Sequence, residues 1–271
     1  MKRTIKIFKR IIRGYFPYYL TKLLHPKSEL IKYYKYIMKH GDAHHLFLFG
    51  HEYENFKTII EYDKVCGMPY VKLPNHKHKL YFRRDMSPRK IEGLYKSLIM
   101  EQDSRSPHRY FDNIEELRGK ILLDIGAAEG IIPLLAIEQI EHAYLFECDD
   151  RWMEALNKTF EPWKNKITII KKYISDKNDE SNITIDSFME SIPDGNFFIK
   201  MDIEGMERVA LSGASKTFAE KENINFAVCT YHNNDDFSVI STILNSYGCK
   251  FINHTGYWRH KLRSVMLRGS N

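Results

Sequence analysis

The chain has little from which to build a disulfide scaffold or a membrane span. Its 271 residues hold only four cysteines, Cys66, Cys148, Cys229 and Cys249, and no two stand in a Cys-x-x-Cys pair. That excludes a disulfide-stapled fold and predicts reduced core thiols in a cytoplasmic protein. No run approaches the roughly 18 apolar residues of a membrane-crossing helix, and the start lacks a continuous apolar stretch and cleavage signal. Several catalytic signatures are missing as well. There is no Gly-x-Ser-x-Gly elbow for a hydrolytic serine, and His51-Glu-Tyr-Glu-Asn55 lacks the second histidine of a zincin helix. No Gly-x-Gly-x-x-Gly marks a dinucleotide loop, and no internal repeat is present.

What remains is enough for one large core and an extension, with 43% hydrophobic residues. The charge is uneven. Residues 1 to 40 carry eleven Lys/Arg against one acid, net +10, so the remainder holds −4 of the overall +6. Residues 1–41 read as a basic arm of two helical pieces, broken near Pro26 and closing at Gly41. Within it Ile5, Phe8, Ile12, Tyr15, Phe16 and Tyr19 recur at helical spacing, interleaved with Lys6, Lys9, Arg10 and Arg13. Two readings stay open. The segment rests peripherally on the anionic inner face of a membrane, or it packs on the domain with a solvated basic face.

Residues 42–110 read as an extension and lid. Leu46 to Gly50 and Met68 to Phe82 are predicted strands, the latter folded at Pro74-Asn-His-Lys77, and Ser87 with Pro88 opens a helix to about Met100. Residues 111–271 read as the main domain, in which strands and helices alternate from Lys120 to Tyr231, which predicts right-handed crossovers and a mostly parallel α/β sheet. Cys249–Trp258 and Ser264–Arg268 then read as a final antiparallel hairpin.

Ile121 to Gly130, Ile-Leu-Leu-Asp-Ile-Gly-Ala-Ala-Glu-Gly, is the most informative stretch. An apolar strand runs into Asp124 and a glycine-punctuated turn, where Gly126 and Gly130 leave room for a ligand against the backbone and the next helix offers free N–H groups. A second strand, His142 to Glu147, ends in an acid about 20 residues further on, the place for a ribose-binding carboxylate. Ile167 to Ile174 reads as a third strand, followed by Ser175 and Asp176, which can reach an adenine edge. With Thr184-Ile-Asp186 and Ile199-Lys-Met-Asp-Ile-Glu-Gly-Met-Glu207 in order behind them, these motifs resemble the FkbM family of methyltransferases. Glu101 to Tyr110 and Cys229-Thr-Tyr-His232 also look like a branch of that family.

The resemblance implies a class I, Rossmann-like methyltransferase fold with S-adenosylmethionine as cofactor. Asp124, Gly126, Ala127, Ala128, Gly130, Glu147, Ser175, Asp176 and Asp202 would surround it. It also implies a hydroxyl acceptor on a sugar, glycan or related natural product. Asp202, Glu204 and His232 are expected at the carboxyl ends of two neighbouring strands, with His108 entering from the N-terminal side. An alcohol is a poor nucleophile near neutrality, so O-methylation needs a positioned base, for which His232 suits, or a divalent ion such as Mg²⁺ or Mn²⁺ held by Asp202, Glu204 and His232. Lys200 and Glu207 read alternatively as a simple ion pair. The basic arm raises an RNA-directed methyltransferase as a second function, but the basic residues lie far from the cofactor motifs and nucleic acid is not the expected partner. A noncatalytic, membrane-docked cofactor-binding scaffold is the third.

Overall fold

The computed structural model describes residues 8, 10–43, 45–74 and 77–271. A π-helical turn (Ile11–Tyr15) runs into α1 (Phe16–Leu24), and after the break at Pro26 α2 (Leu30–His40) closes at Gly41, whose φ is +98°. The extension follows with β1 (His45–Leu46), β2 (Glu61–Tyr62), β3 (Pro69–Lys72) and β4 (Lys79–Tyr81). Then comes α3 (Pro88–Glu101), opened as predicted: Ser87 Oγ accepts the Lys90 N–H and Pro88 takes the first helical position. Asn75 and His76, at the expected turn between β3 and β4, lie outside the described residues, as do Ile5, Lys6 and Lys9 of the arm.

The remaining elements alternate. They are β5 (Ile121–Ile125), α4 (Ile131–Leu135), β6 (His142–Phe146), α5 (Asp150–Thr159), β7 (Ile167–Ile170), the short β8 (Tyr173–Ile174) and β9 (Asn182–Ile183), α6 (Ile185–Glu190), β10 (Phe197–Met201), α7 (Glu207–Ser212), α8 (Ser215–Glu220), β11 (Ile224–Cys229), α9 (Asp236–Ser246), β12 (Lys250–Trp258) and β13 (Lys261–Ser270). The main sheet has the order β1-β12-β13-β11-β10-β5-β6-β7. β11, β10, β5, β6 and β7 run parallel, while β13, β12 and β1 add antiparallel. β5 and β10 are buried at every position, which is why both read as continuous apolar runs rather than alternating ones. From β5 the chain steps outward through β6 and β7, then returns to β10 on the other side of β5. That reversal between β5 and β10 is the crevice where open α/β sheets bind ligands.

Two cores flank the sheet. Leu123, Ile199, Phe226 and Phe188 fill one. Leu122, Phe198, Ile132 and Ala143 fill the other together with Leu80, Phe82 and Ile91, so the extension roofs one face of the sheet. β1 also joins the main sheet, with Leu46 opposite Tyr257, so the expected division between residues 110 and 111 is crossed by a strand pairing.

Three expectations change. The strand predicted over Leu46–Gly50 is only its first residue plus His45, because past Leu46 the next position on β12 is Gly256, against which Pro107 packs. The strand predicted over Ile167–Ile174 splits at Lys171-Lys172: β7 stops where its partner β6 stops, and β8 pairs instead with β9. Of the four thiols only Cys229 and Cys249 are buried, whereas Cys66 and Cys148 are half-exposed.

Candidate active site

The glycine turn is built by protein contacts before any ligand is considered. Gly126 has φ +83°, and a Cβ there would lie 2.0 Å from the Asp202 carbonyl oxygen; the loop leaving β10 presses directly on it. Gly130 has φ +79°, with a Cβ placed 2.7 Å from the Phe160 ring. The N–H groups of Gly126 and Ala127 both donate to the Phe146 carbonyl, and that of Gly130 donates to Ala127. Ala128, at φ +46°, donates its N–H to Glu147 Oε2 at 2.8 Å. These turn N–H groups are thus bonded within the protein, and the free N–H groups expected at the start of the next helix fall on α4, which is five residues long.

Glu147 is half-buried at the end of β6, and its Oε1 accepts the Asp149 N–H at 2.7 Å. Each oxygen thus holds one backbone N–H. An ionised carboxylate has about four acceptor positions, so capacity remains for a vicinal diol. Asp124 is 1% exposed and sits beneath the turn rather than at its surface. It lies opposite Lys200 in the β5–β10 register, with Nζ 2.9 Å from Oδ1. Lys200 also donates to the Gly126 carbonyl at 2.6 Å and lies 5.4 Å from the centre of the Tyr110 ring. Burial works against its charge, but Asp124 and then Asp202 outweigh it and raise the Lys200 pKa. Lys200 therefore pairs with Asp124, not with Glu207.

At the end of β10, Asp202 receives the Tyr110 hydroxyl at 2.8 Å and the Tyr231 hydroxyl at 3.2 Å. Burial pushes both phenols well above their ordinary pKa, so each remains a donor. Three residues past β11, His232 sets Nε2 3.3 Å from Asp202 and 3.7 Å from Glu204, and Nδ1 2.9 Å from Glu207. Burial pulls the His232 pKa down, yet the hydrogen bond and charge of Glu207, followed by Asp202 and Glu204, carry it above 6.5.

Glu207, the first residue of α7, is fully buried. Its Oε1 also accepts the Ile203 N–H at 2.8 Å, while Oε2 is buried without a hydrogen bond. Glu204 takes the left-handed φ of +56° before Gly205, which turns its side chain outward to 94% exposure. The trio that converges is thus Asp202, Glu207 and His232, whose ligand-type atoms all lie within 4.8 Å of one another, rather than the expected set with Glu204.

His108 is buried behind this cluster in a wall of rings, 5.3 Å from Tyr231, 5.6 Å from Phe47 and 6.3 Å from Trp258. Ser175 and Asp176 follow β8 and lie off the main ladder; Ser175 donates to Asp176 Oδ1 at 3.2 Å, and its carbonyl packs where a Cβ on Gly213 would stand 2.4 Å away. The motif reading gave no role to Tyr110 or Tyr231, and to Glu207 only an ion pair with Lys200. Nor did it single out Glu129, which burial in the glycine turn pushes up to about 7. The only sequence cue to Glu207 is its place after the Glu204-Gly205 turn, where a helix begins. A cavity of about 650 Å³ is lined by Phe47, Pro107 and Arg268 among others and by none of the strand-end groups.

These residues fit a sulfonium nucleoside. The donor set is chemically compatible: a strand-end carboxylate with spare acceptor capacity, small Ala127 and Ala128 in the turn, and a rim of Asp202 and Glu204, with Glu207 buried behind them, whose charge favours a cation.

Residues 136–251 match the family model described as the Methyltransferase FkbM domain. Among solved structures, the FkbM methyltransferase of Methylobacillus flagellatus KT is similar over 64% of this chain and 54% of its own, about half its length, with 18% identity and a TM-score of 0.47. The METTL16 methyltransferase domain aligns over 66% and 68%, with 14% identity and a TM-score of 0.44. An rRNA methylase from Streptococcus thermophilus aligns over 58% and 91%, with 8% identity and a TM-score of 0.40. No curated protein matches the chain. The family match spans the second to fifth parallel strands and the acids Asp202, Glu204 and Glu207, and over these residues the chain is similar to the methyltransferase FkbM domain.

Proposed function

We propose that the protein transfers a methyl group from S-adenosylmethionine to a hydroxyl of a sugar, glycan or related natural product. The observation that carries this reading is the Glu207–His232–Asp202 chain at the ends of β10 and β11, beside the sheet's switch point. S-adenosylmethionine supplies a methyl group on a good leaving sulfur. In this reading Glu147 would hold the ribose diol, Ser175 and Asp176 the adenine edge, and the Ala127-Ala128 turn the space between.

With the imidazole neutral, the Glu207 carboxylate 2.9 Å from Nδ1 favours the proton on that nitrogen, which would leave the Nε2 lone pair on the Asp202 side. An acceptor hydroxyl entering there gives its proton to Nε2 as its oxygen bonds the methyl carbon and the carbon–sulfur bond breaks. The products are the methyl ether, S-adenosylhomocysteine and a protonated His232. Asp202, held by Tyr110 and Tyr231, would fix the hydroxyl and stabilise the imidazolium. A base so placed contributes about 10²- to 10⁴-fold.

The test pairs calorimetry with a transfer assay across glycan acceptors. His232→Asn should bind S-adenosylmethionine like the wild type and lose transfer. Near-normal transfer by that variant on a competent acceptor would overturn the base assignment, and a wild type with no cofactor affinity would overturn the function. The close approach of Asp202, Glu207 and His232 favours one second reading, a Mg²⁺ or Mn²⁺ ion acidifying the hydroxyl. Activity abolished by a chelator and restored by either ion would select it.

A further inference from the structure

The arm presents its apolar side to solvent and its small and polar side to the protein. Phe8, Ile12, Phe16, Tyr19, Leu23 and Leu24 recur at helical spacing, and all are between 50% and 79% exposed. On the opposite side Gly14 packs on Ile37 and Met38 of α2, Tyr18 is buried, and Arg13 pairs with Asp42 at 2.6 Å. A helix of a soluble domain ordinarily does the reverse. The packed-helix reading of the sequence placed the stripe inward; the structure packs the helix by its other face.

The arm is held firmly enough to present that stripe. Tyr33 of α2 stacks on Tyr257 of β12 at 5.0 Å, next to Trp258, whose ring is 4.7 Å from Tyr231. The stripe therefore hangs from the hairpin that walls the strand-end cluster.

We propose that the apolar stripe of residues 8–24 inserts into the interfacial layer of an anionic lipid bilayer. Charge complementarity selects this occupant. Residues 1 to 40 carry net +10 while the rest of the chain carries −4, so a negative lipid surface attracts this end, whereas two copies brought stripe to stripe would bring two such charges together. The stripe is rich in aliphatic and aromatic side chains, and α1 is nine residues long, so the geometry suits lying in the interface rather than crossing it. Among the described residues no helix is long and apolar enough to cross a membrane. The proposal stands independently of the methyl-transfer reading.

Flotation of the full chain tests it, using phosphatidylcholine vesicles with and without phosphatidylglycerol. The protein should float with the anionic vesicles, and salt should weaken the association. Phe16→Glu/Leu23→Glu should cut the bound fraction about tenfold or more while leaving the thermal midpoint and cofactor affinity unchanged, because both side chains are exposed. Phe16→Trp, which keeps the stripe apolar, should shift its fluorescence to the blue on anionic vesicles only. Equal flotation of wild type and the glutamate variant, or no shift for Phe16→Trp, overturns the proposal. So does a wild-type dimer that the glutamate variant splits without any vesicle binding, which would assign the stripe to a second copy.

Discussion

At the ends of β5, β10 and β11, charged groups lie inside the protein: Asp124, Lys200 and Glu207 are at most 5% exposed. Along the arm, large apolar side chains lie outside it, Leu23 at 79%. Each region departs from the usual partition of residues, and in opposite senses. The difference lies in what compensates the departure. Inside, Asp124 has the Lys200 ammonium 2.9 Å away, and Glu207 has His232 Nδ1 at the same distance, an opposite charge once the ring is protonated. Outside, among the described residues, the side chains of the apolar stripe stay 50–79% exposed. The inner departure is thus balanced within the fold, while the outer one is the surface that the proposed lipid contact would cover.

The sharpest way to break the comparison is to unbalance the inner region. Lys200→Met alone leaves Asp124 buried and uncompensated, which should cost about 3 to 5 kcal/mol of stability in a denaturant titration. Asp124→Asn with Lys200→Met should be milder than that single change; a single change under about 1 kcal/mol would mean that the pair is not what holds the turn. Next in size, His232→Ala should lower kcat by about 10²-fold or more with little effect on S-adenosylmethionine affinity. Glu147→Ala should do the opposite, weakening cofactor binding by about 10- to 100-fold, or about 1.5 to 3 kcal/mol, as read by calorimetry. The smallest expected effect is that of Tyr231→Phe, which removes one of two phenolic donors from Asp202 and should cost about 0.5 to 1.5 kcal/mol in transfer rate. A Tyr231→Phe effect equal to that of His232→Ala would shift the chemistry from the histidine to the phenol.

The parallel sheet was legible because β5 and β10 are buried on both faces and so carry unbroken apolar runs between glycine-marked turns. The ends of strands were less so. Whether Ile167–Ile174 is one strand depends on where β6 stops supplying partners, and β1 depends on Pro107 lying against Gly256, neither of which a local pattern records. Asp202 and His232 could be placed together because their strands are neighbours. Glu204 and Glu207 could not be told apart: a left-handed φ at Glu204 sends one acid to solvent, while the first turn of α7 buries the other against the imidazole. In the arm, periodicity identified an apolar stripe but not its direction. Gly14 decides that, because the absence of a side chain lets α2 approach on the polar side.

The central claim is that Glu207 and Asp202 poise His232 as a base at the strand ends. Nuclear magnetic resonance titration of the His232 ring, in wild type and Glu207→Gln, tests it without requiring a known acceptor. Glu207 stabilises the protonated ring, so the wild-type midpoint should lie above 6.5, with the basic form gained as pH rises through that value. Removing the charge of Glu207 should move the midpoint to lower pH. A wild-type midpoint at or below 6.5, or one that Glu207→Gln leaves in place, would contradict the account.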